Sequence, residues 1–233
     1  MAFAPIRRTR FNQPSGDGID WFNPLTRGLL FASANGMGDS VTGKLLTEIN
    51  SPGKRILDRG TFSSYLAASS QYKTLPIFPP STNAFSFFAL VTFDDTATQR
   101  AILTVTQLSS ANRLVLYVGQ TANKISLNSV DSGGGSITAT SSLSVTSGKT
   151  YAVGGTYSFS DGLQVFVNGE LVGTGGVSAN GLSGITTLAL GARYNASWGL
   201  FGNVAIACPC VWTRKLSAAE FRSLSCNPWQ VFL

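Results

Sequence analysis

The sequence predicts an all-β fold, an antiparallel jelly-roll sandwich with a short C-terminal helix and an extended N-terminal arm. Charged residues make up only 12% of the 233 positions while aromatics reach 11%, a balance that suits short strands and tight turns better than long helices. From Gly28 onward, short apolar runs alternate with clusters of turn residues. Asn168-Gly169 joins two alternating apolar runs, and that dipeptide favours the positive φ angles of a type I′ hairpin turn. All-β sandwiches often run to about 200–250 residues as one domain, so the length fits one domain with terminal segments.

Residues 1–24 read as an arm. Arg7-Arg8-Thr9-Arg10 is followed by Asn12 to Gly18, turn material without periodicity. Residues 25–226 carry the sandwich. Leu29–Ala32 and Phe62–Leu66 are its early strands, and Ala84–Phe93 is the clearest, with Phe85, Phe87, Ala89, Val91 and Phe93 on the face expected to enter the core. Ala101–Val105, Arg113–Val118 and Lys124–Asn128 follow at a spacing that predicts an antiparallel meander. Gly133-Gly134-Gly135 reads as a mobile turn rather than a phosphate cradle, because no helix signature follows it. Thr150–Tyr157, the hairpin Gly162–Thr174, Thr186–Ala192 and Phe201–Trp212 supply the last strands, which places Phe201 and Trp212 in the core. Ser217 with Glu220 three positions on is a capping box opening a short helix through Phe221 and Leu224, expected to plug an edge or end of the sandwich. Residues 227–233 form a tail.

The hairpin Gly162–Val172, preceded by Tyr151–Tyr157, resembles the central signature of laminin-G-like domains of the concanavalin A-like lectin and glucanase superfamily. Leu188–Gly191, Gly199–Ala205 and Leu216–Phe221 resemble the same family's closing strands and terminal helix, so the likeness covers roughly 84–226. Trp21–Phe31 and Asn227–Phe232 are similar to the terminal segments of laminin-G-like proteins of tailed bacteriophages. This second resemblance implies a virion component, such as a capsid decoration or fibre protein. Its partners would be the major capsid protein or copies of itself in a homo-oligomer. The assembly arm would be Arg7, Arg8, Arg10 and Trp21, and the C-terminal anchor Trp229 and Phe232.

The net charge of +6 is weighted to the N-terminal third, which suits an acidic protein face, a polyanion or a solvated basic surface. No aromatic interleaving accompanies the arginines, so nucleic acid is not the expected partner. The N-terminal residues lack an apolar signal-peptide core and no segment reaches the roughly 18 apolar residues of a membrane span. These features predict a product made in the cytoplasm of the host, without a membrane partner. Cys208, Cys210 and Cys226 are odd in number and badly spaced for a mutual bridge, so free and mostly buried thiols are expected.

Catalysis is not expected. Glycosidases of the superfamily need a pair of carboxyl groups on a Glu-x-Asp-x-Glu strand, whereas the three glutamates, Glu48, Glu170 and Glu220, are scattered. There is no histidine, which removes the usual general base and the commonest zinc ligand. Asp94, Asp95, Asp131 and Asp161 are the oxygens available to a rim calcium, but they read as turn formers, and neither metal nor cofactor is assigned. The alternative function is carbohydrate binding to a surface glycan. Its candidates are Tyr194, Asn195 and Trp198, a cluster between two strands whose aromatics can stack on sugar rings.

Overall fold

A computed structural model describes residues 18–79 and 83–233. The strands in chain order are β1 (Leu29–Ala32), β2 (Thr47–Ile49), β3 (Gly53–Leu57), β4 (Gly60–Tyr65), β5 (Tyr72–Pro76) and β6 (Ala84–Phe93). There follow β7 (Arg100–Thr106), β8 (Arg113–Val118), β9 (Lys124–Val130), β10 (Ser136–Ser144), β11 (Thr150–Ser158) and β12 (Gly162–Val167). The chain closes with β13 (Glu170–Gly175), β14 (Thr187–Leu190), β15 (Arg193–Tyr194), β16 (Trp198–Gly199), β17 (Val204–Trp212) and the helix α1 (Ala218–Cys226).

The strands form two facing antiparallel sheets. One runs β13-β12-β11-β6-β17-β4-β3 with β1 added beside β17, and the other runs β10-β9-β8-β7-β14-β5-β2. The expected meander is β7 to β9, which β10 extends by pairing with β9, and the Asn168-Gly169 turn joins β12 to β13 with φ of 51° and 84°, the left-handed pair a type I′ turn needs. Phe85, Phe87, Ala89, Val91 and Phe93 point into the space between the sheets, where they meet Leu103, Val105, Leu114, Leu116 and Leu127.

The other face of the eight-stranded sheet is apolar too. Phe88, Leu90, Phe166, Cys208, Cys210 and Trp212 lie in a second core with Leu216, Phe221, Leu224, Trp229 and Phe232. Helix α1 therefore covers the outer face of this sheet, not an edge or end as expected from sequence. Its capping box is formed, Ser217 Oγ accepting from Glu220 N and Glu220 Oε2 accepting from Ser217 N at 2.8 Å. Phe221 stacks on Phe166 with centroids 4.0 Å apart. The fit depends on Gly154, where a Cβ would stand 2.4 Å from Phe221 Cε1 and 2.7 Å from the Phe87 carbonyl.

The two terminal segments close the same face. Ile19 bridges Phe232, Asp20 N donates to Val231 O, and Leu233 N donates to Gly18 O. Residues 18–24, at the end of the segment read as an arm, thus lie along the tail. Strand β17 admits Pro209 in a central position because the ladder slips between Ala207 and Cys210, and a bulge frees the strand from needing a donor there. Cys208 and Cys210 are buried and Cys226 is exposed. Phe201 departs from expectation. It precedes the start of β17, is only partly buried, and stacks against Tyr72 instead of entering the core.

Phe221→Ala is expected to lower unfolding free energy by about 3 kcal/mol, since it removes a buried ring and leaves a cavity against Phe166. Urea denaturation followed by tryptophan fluorescence checks it.

Candidate functional site

With one face of the eight-stranded sheet turned inward and the other covered, the outer face of the seven-stranded sheet is where side chains remain available. The strand registers lay its residues out in rows. One row is Pro76, Thr187, Thr106, Arg113 and Val130. The next is Thr47, Thr74, Ala189, Thr104, Val115, Asn128 and Thr138. Hydroxyls and amides dominate these positions, and none is a carboxylate.

The segment between β14 and β17 folds over this face. The Thr104 hydroxyl donates to Ala192 O at 2.7 Å, which fixes the base of the small hairpin β15-β16. Across that hairpin Tyr194 meets Trp198 edge-on with ring centroids 5.2 Å apart. Trp198 lies 4.8 Å from Tyr72, and Tyr72 in turn lies 5.8 Å from Phe201. The four rings form a continuous aromatic ledge. Beside it, a groove of about 290 Å³ is lined by Thr47, Ile49, Tyr72, Thr74, Pro76, Leu108, Thr187 and Trp198. Burial raises the pKa of the Tyr72 hydroxyl above its ordinary value, which keeps it a neutral donor and acceptor.

Of the three residues singled out from sequence for a glycan, Tyr194 and Trp198 are brought together, while Asn195 stands at the exposed hairpin tip with its N–H bonded to Ser197 O at 2.8 Å. Tyr72 was missed. It opens β5, whose inner positions are Lys73 and Leu75, so the lysine broke the apolar alternation that announces a strand. That lysine is buried, with Nζ 2.7 Å from Glu48 and 2.9 Å from the Gly36 carbonyl.

The other residues named from sequence lie elsewhere. Trp229 and Phe232 are buried against the eight-stranded sheet, Trp21 is 58% exposed, and Arg7, Arg8 and Arg10 lie outside the described residues. The three glutamates are held apart by Lys73, Arg222 and Arg214. Among the described residues no three acidic, cysteine or histidine side chains gather as a metal site would require.

Asp131, like Asp39, accepts four hydrogen bonds. Its carboxylate accepts from Gly133 N, Gly135 N, Asn180 N and Ser178 Oγ at 2.8–3.1 Å. The triple-glycine turn is thus clasped to a neighbouring loop and is not the loose turn expected from sequence. Burial alone raises the pKa of this group, but the four donors outweigh it and hold it below the ordinary carboxylate value.

The pattern of the concanavalin A-like lectin/glucanases superfamily matches residues 64–222. The chain belongs to this superfamily. Among curated proteins none matches its sequence. Among solved structures it is similar to the binding domain of botulinum neurotoxin serotype C1, with a TM-score of 0.62, 9% identity, and 86% of this chain against 52% of that one covered. A type C toxin structure, described by the dependence of cell entry on two ganglioside molecules, gives a TM-score of 0.64 and 10% identity over 86% of this chain and 51% of the other. The superfamily member thus spans about half the length of these toxin binding domains. Domain 4 of a GH43 extracellular arabinanase from Geobacillus stearothermophilus, in complex with arabinotriose, gives 0.65 and 14% identity over 84% of this chain and 98% of that one.

A depressed carboxylate pKa contributes stability that is complete above the unfolded value of about 3.9 and fades as pH falls through the lower folded value. Asp131→Asn is therefore expected to cost about 2 kcal/mol at pH 7 and progressively less below about pH 4. Chemical denaturation of both proteins across that range measures the convergence.

Proposed function

We propose that this chain is a non-catalytic carbohydrate-binding domain that receives a saccharide in the groove beside the Tyr72–Trp198 ledge. The observation that carries this reading is the juxtaposition of the partly exposed Trp198, backed by the buried Tyr72 ring, with threonine hydroxyls in a groove lined by no carboxylate. Sugar rings present C–H faces and a fringe of hydroxyls. An aromatic face takes the first, and Thr47, Thr74 and Thr187 are placed to hydrogen-bond the second. The arabinotriose bound by the arabinanase domain and the ganglioside interaction on which entry of the type C toxin depends support the same reading. The scattered glutamates, each engaged by a basic side chain, support a binding role over hydrolysis.

Trp198→Ala and Tyr72→Ala are each expected to weaken binding of a cognate oligosaccharide by roughly tenfold or more, the scale of a lost aromatic contact worth about 1.5 kcal/mol. Titration calorimetry against ligands drawn from a glycan array provides the measurement. Retention of full affinity in both variants moves the site away from this groove.

A second reading, a virion structural protein held by its terminal segments, is supported by Trp21 and Phe22, which stand 58% and 99% exposed where those segments meet. It expects the intact chain to form an oligomer that is lost when residues 1–17 are removed, as light scattering after size exclusion reports. A monomer in both cases leaves the saccharide reading alone.

A further inference from the structure

The hairpin that carries Trp198 to the groove also carries Arg193, which pairs with Gly199 one step from the Tyr194–Trp198 pair. Arg193 follows Ala192, whose carbonyl accepts from the Thr104 hydroxyl of β7, the strand on which Thr106 pairs with Arg113 of β8. The positive charge of one is felt by the other: burial first, and then the charge of Arg193, lowers the pKa of Arg113. Burial lowers that of Arg193 as well. Arg113 is only 8% exposed. None of the ion pairs among the described residues includes either arginine. The Nε of each is buried without a hydrogen-bond partner, and among the described residues Arg113 donates only from Nη1, to the Ser110 carbonyl.

Two like charges withdrawn from water, Arg113 almost wholly and Arg193 in part, and without a counter-ion, cost stability. A surface arginine ordinarily avoids that cost by extending its head group into solvent. Here the β15-β16 hairpin lies over this sheet face, and beyond the Ser110 carbonyl on Arg113 Nη1 neither guanidinium has a protein acceptor among the described residues. What satisfies such a pair is a planar anion. A carboxylate matches the guanidinium geometry with parallel N–H···O bonds.

The pair also lies within reach of the groove. Arg113 sits in the same row as Thr187 and two strands away, which at strand spacings near 4.8 Å is roughly 10 Å. The loop after β7 borders both places, Leu108 lining the groove and Ser110 accepting from Arg113. A short oligosaccharide lying across the strands is long enough to span both.

We propose that Arg113 and Arg193 form an anion subsite continuous with the groove, and that the saccharide bound there is acidic, carrying a carboxylate on a sugar next to the one stacked on Trp198. This rests on the saccharide-binding reading above and narrows it to carboxylated sugars, of the uronic or the sialic kind. Guanidinium forks bind the carboxylate, and the aromatic ledge binds the adjoining ring. Neutralising the paired charges on binding removes their mutual repulsion, so the gain is specific to an anion.

The test is calorimetry on the full chain with two matched ligand pairs, oligogalacturonate against its carboxyl-reduced form and sialyllactose against lactose. The expected result is at least tenfold tighter binding of the acidic member of one pair, which identifies the kind of sugar, with affinity falling as sodium chloride is raised. Arg193→Gln is expected to remove that tenfold preference and leave the neutral ligand unchanged, and Arg193→Lys to restore part of it. Trp198→Ala weakens both members of the pair. If neither acidic ligand is preferred by the intact chain, the proposal is overturned whatever the variants do, and loss of neutral-sugar binding in Trp198→Ala then leaves the saccharide reading standing. If no saccharide of either pair binds, the inference falls, and the glycan-array ligands decide separately whether the saccharide reading beneath it stands. Unaltered near-ultraviolet circular dichroism shows that Arg193→Gln keeps its fold, and the salt dependence of the intact chain decides the matter should it not.

Discussion

A strand that is apolar on both faces has to be covered twice, and β6 is such a strand. Phe85, Phe87 and Phe93 enter the core between the sheets while Phe88 and Leu90 point the other way. Its neighbour β17 behaves alike, with Val204, Ile206 and Val211 inward and Cys208, Cys210 and Trp212 outward. Exposing that second face would leave a large apolar patch in water. The helix, the tail and residues 18–24 are the material that covers it. The hydroxyl-rich outer face of the seven-stranded sheet thereby becomes the face that can receive a ligand, so the location of the groove follows from the hydrophobicity of strands on the far side of the molecule.

Much of this was legible in the residues. Alternation marked β6 to β9, the Asn168-Gly169 pair marked the hairpin, and Ser217 with Glu220 marked the start of the helix, because each is a local signal whose physics does not depend on the rest of the fold. What alternation does not show is a strand with polar inner positions. Lys73 occupies such a position in β5 through its contacts with Glu48 and Gly36, and β10, built from serine, threonine and alanine, has too little apolar contrast to stand out. Phe201 was misplaced for the opposite reason. Its ring is as apolar as any core residue, and only the loop that swings it towards Tyr72 decides that it belongs to the surface ledge.

The candidate site was half legible. Tyr194 and Trp198 are close in sequence and were found together, whereas Tyr72 reaches Trp198 from more than a hundred positions away, and no local pattern announces that meeting. Arg113 and Arg193 were hidden in the same way. Each reads as an ordinary surface charge at the edge of a strand, and only the folding of one hairpin over one sheet face turns two solvated charges into a confined pair. Asp131 shows the structural counterpart, a carboxylate whose neighbours supply four donors and so clasp two loops.

The pairing of Ile19 with Phe232 and of Gly18 with Leu233 governs how the fold carries mechanical load. Those partners run antiparallel over the outer face of the eight-stranded sheet, on the side of the molecule away from the groove. Tension applied between Gly18 and Leu233 meets these hydrogen bonds one at a time, as a zipper does, instead of loading them together in shear. The terminal pairing yields at low force and takes up extension, while the sandwich and the opposite sheet face stay intact beneath it.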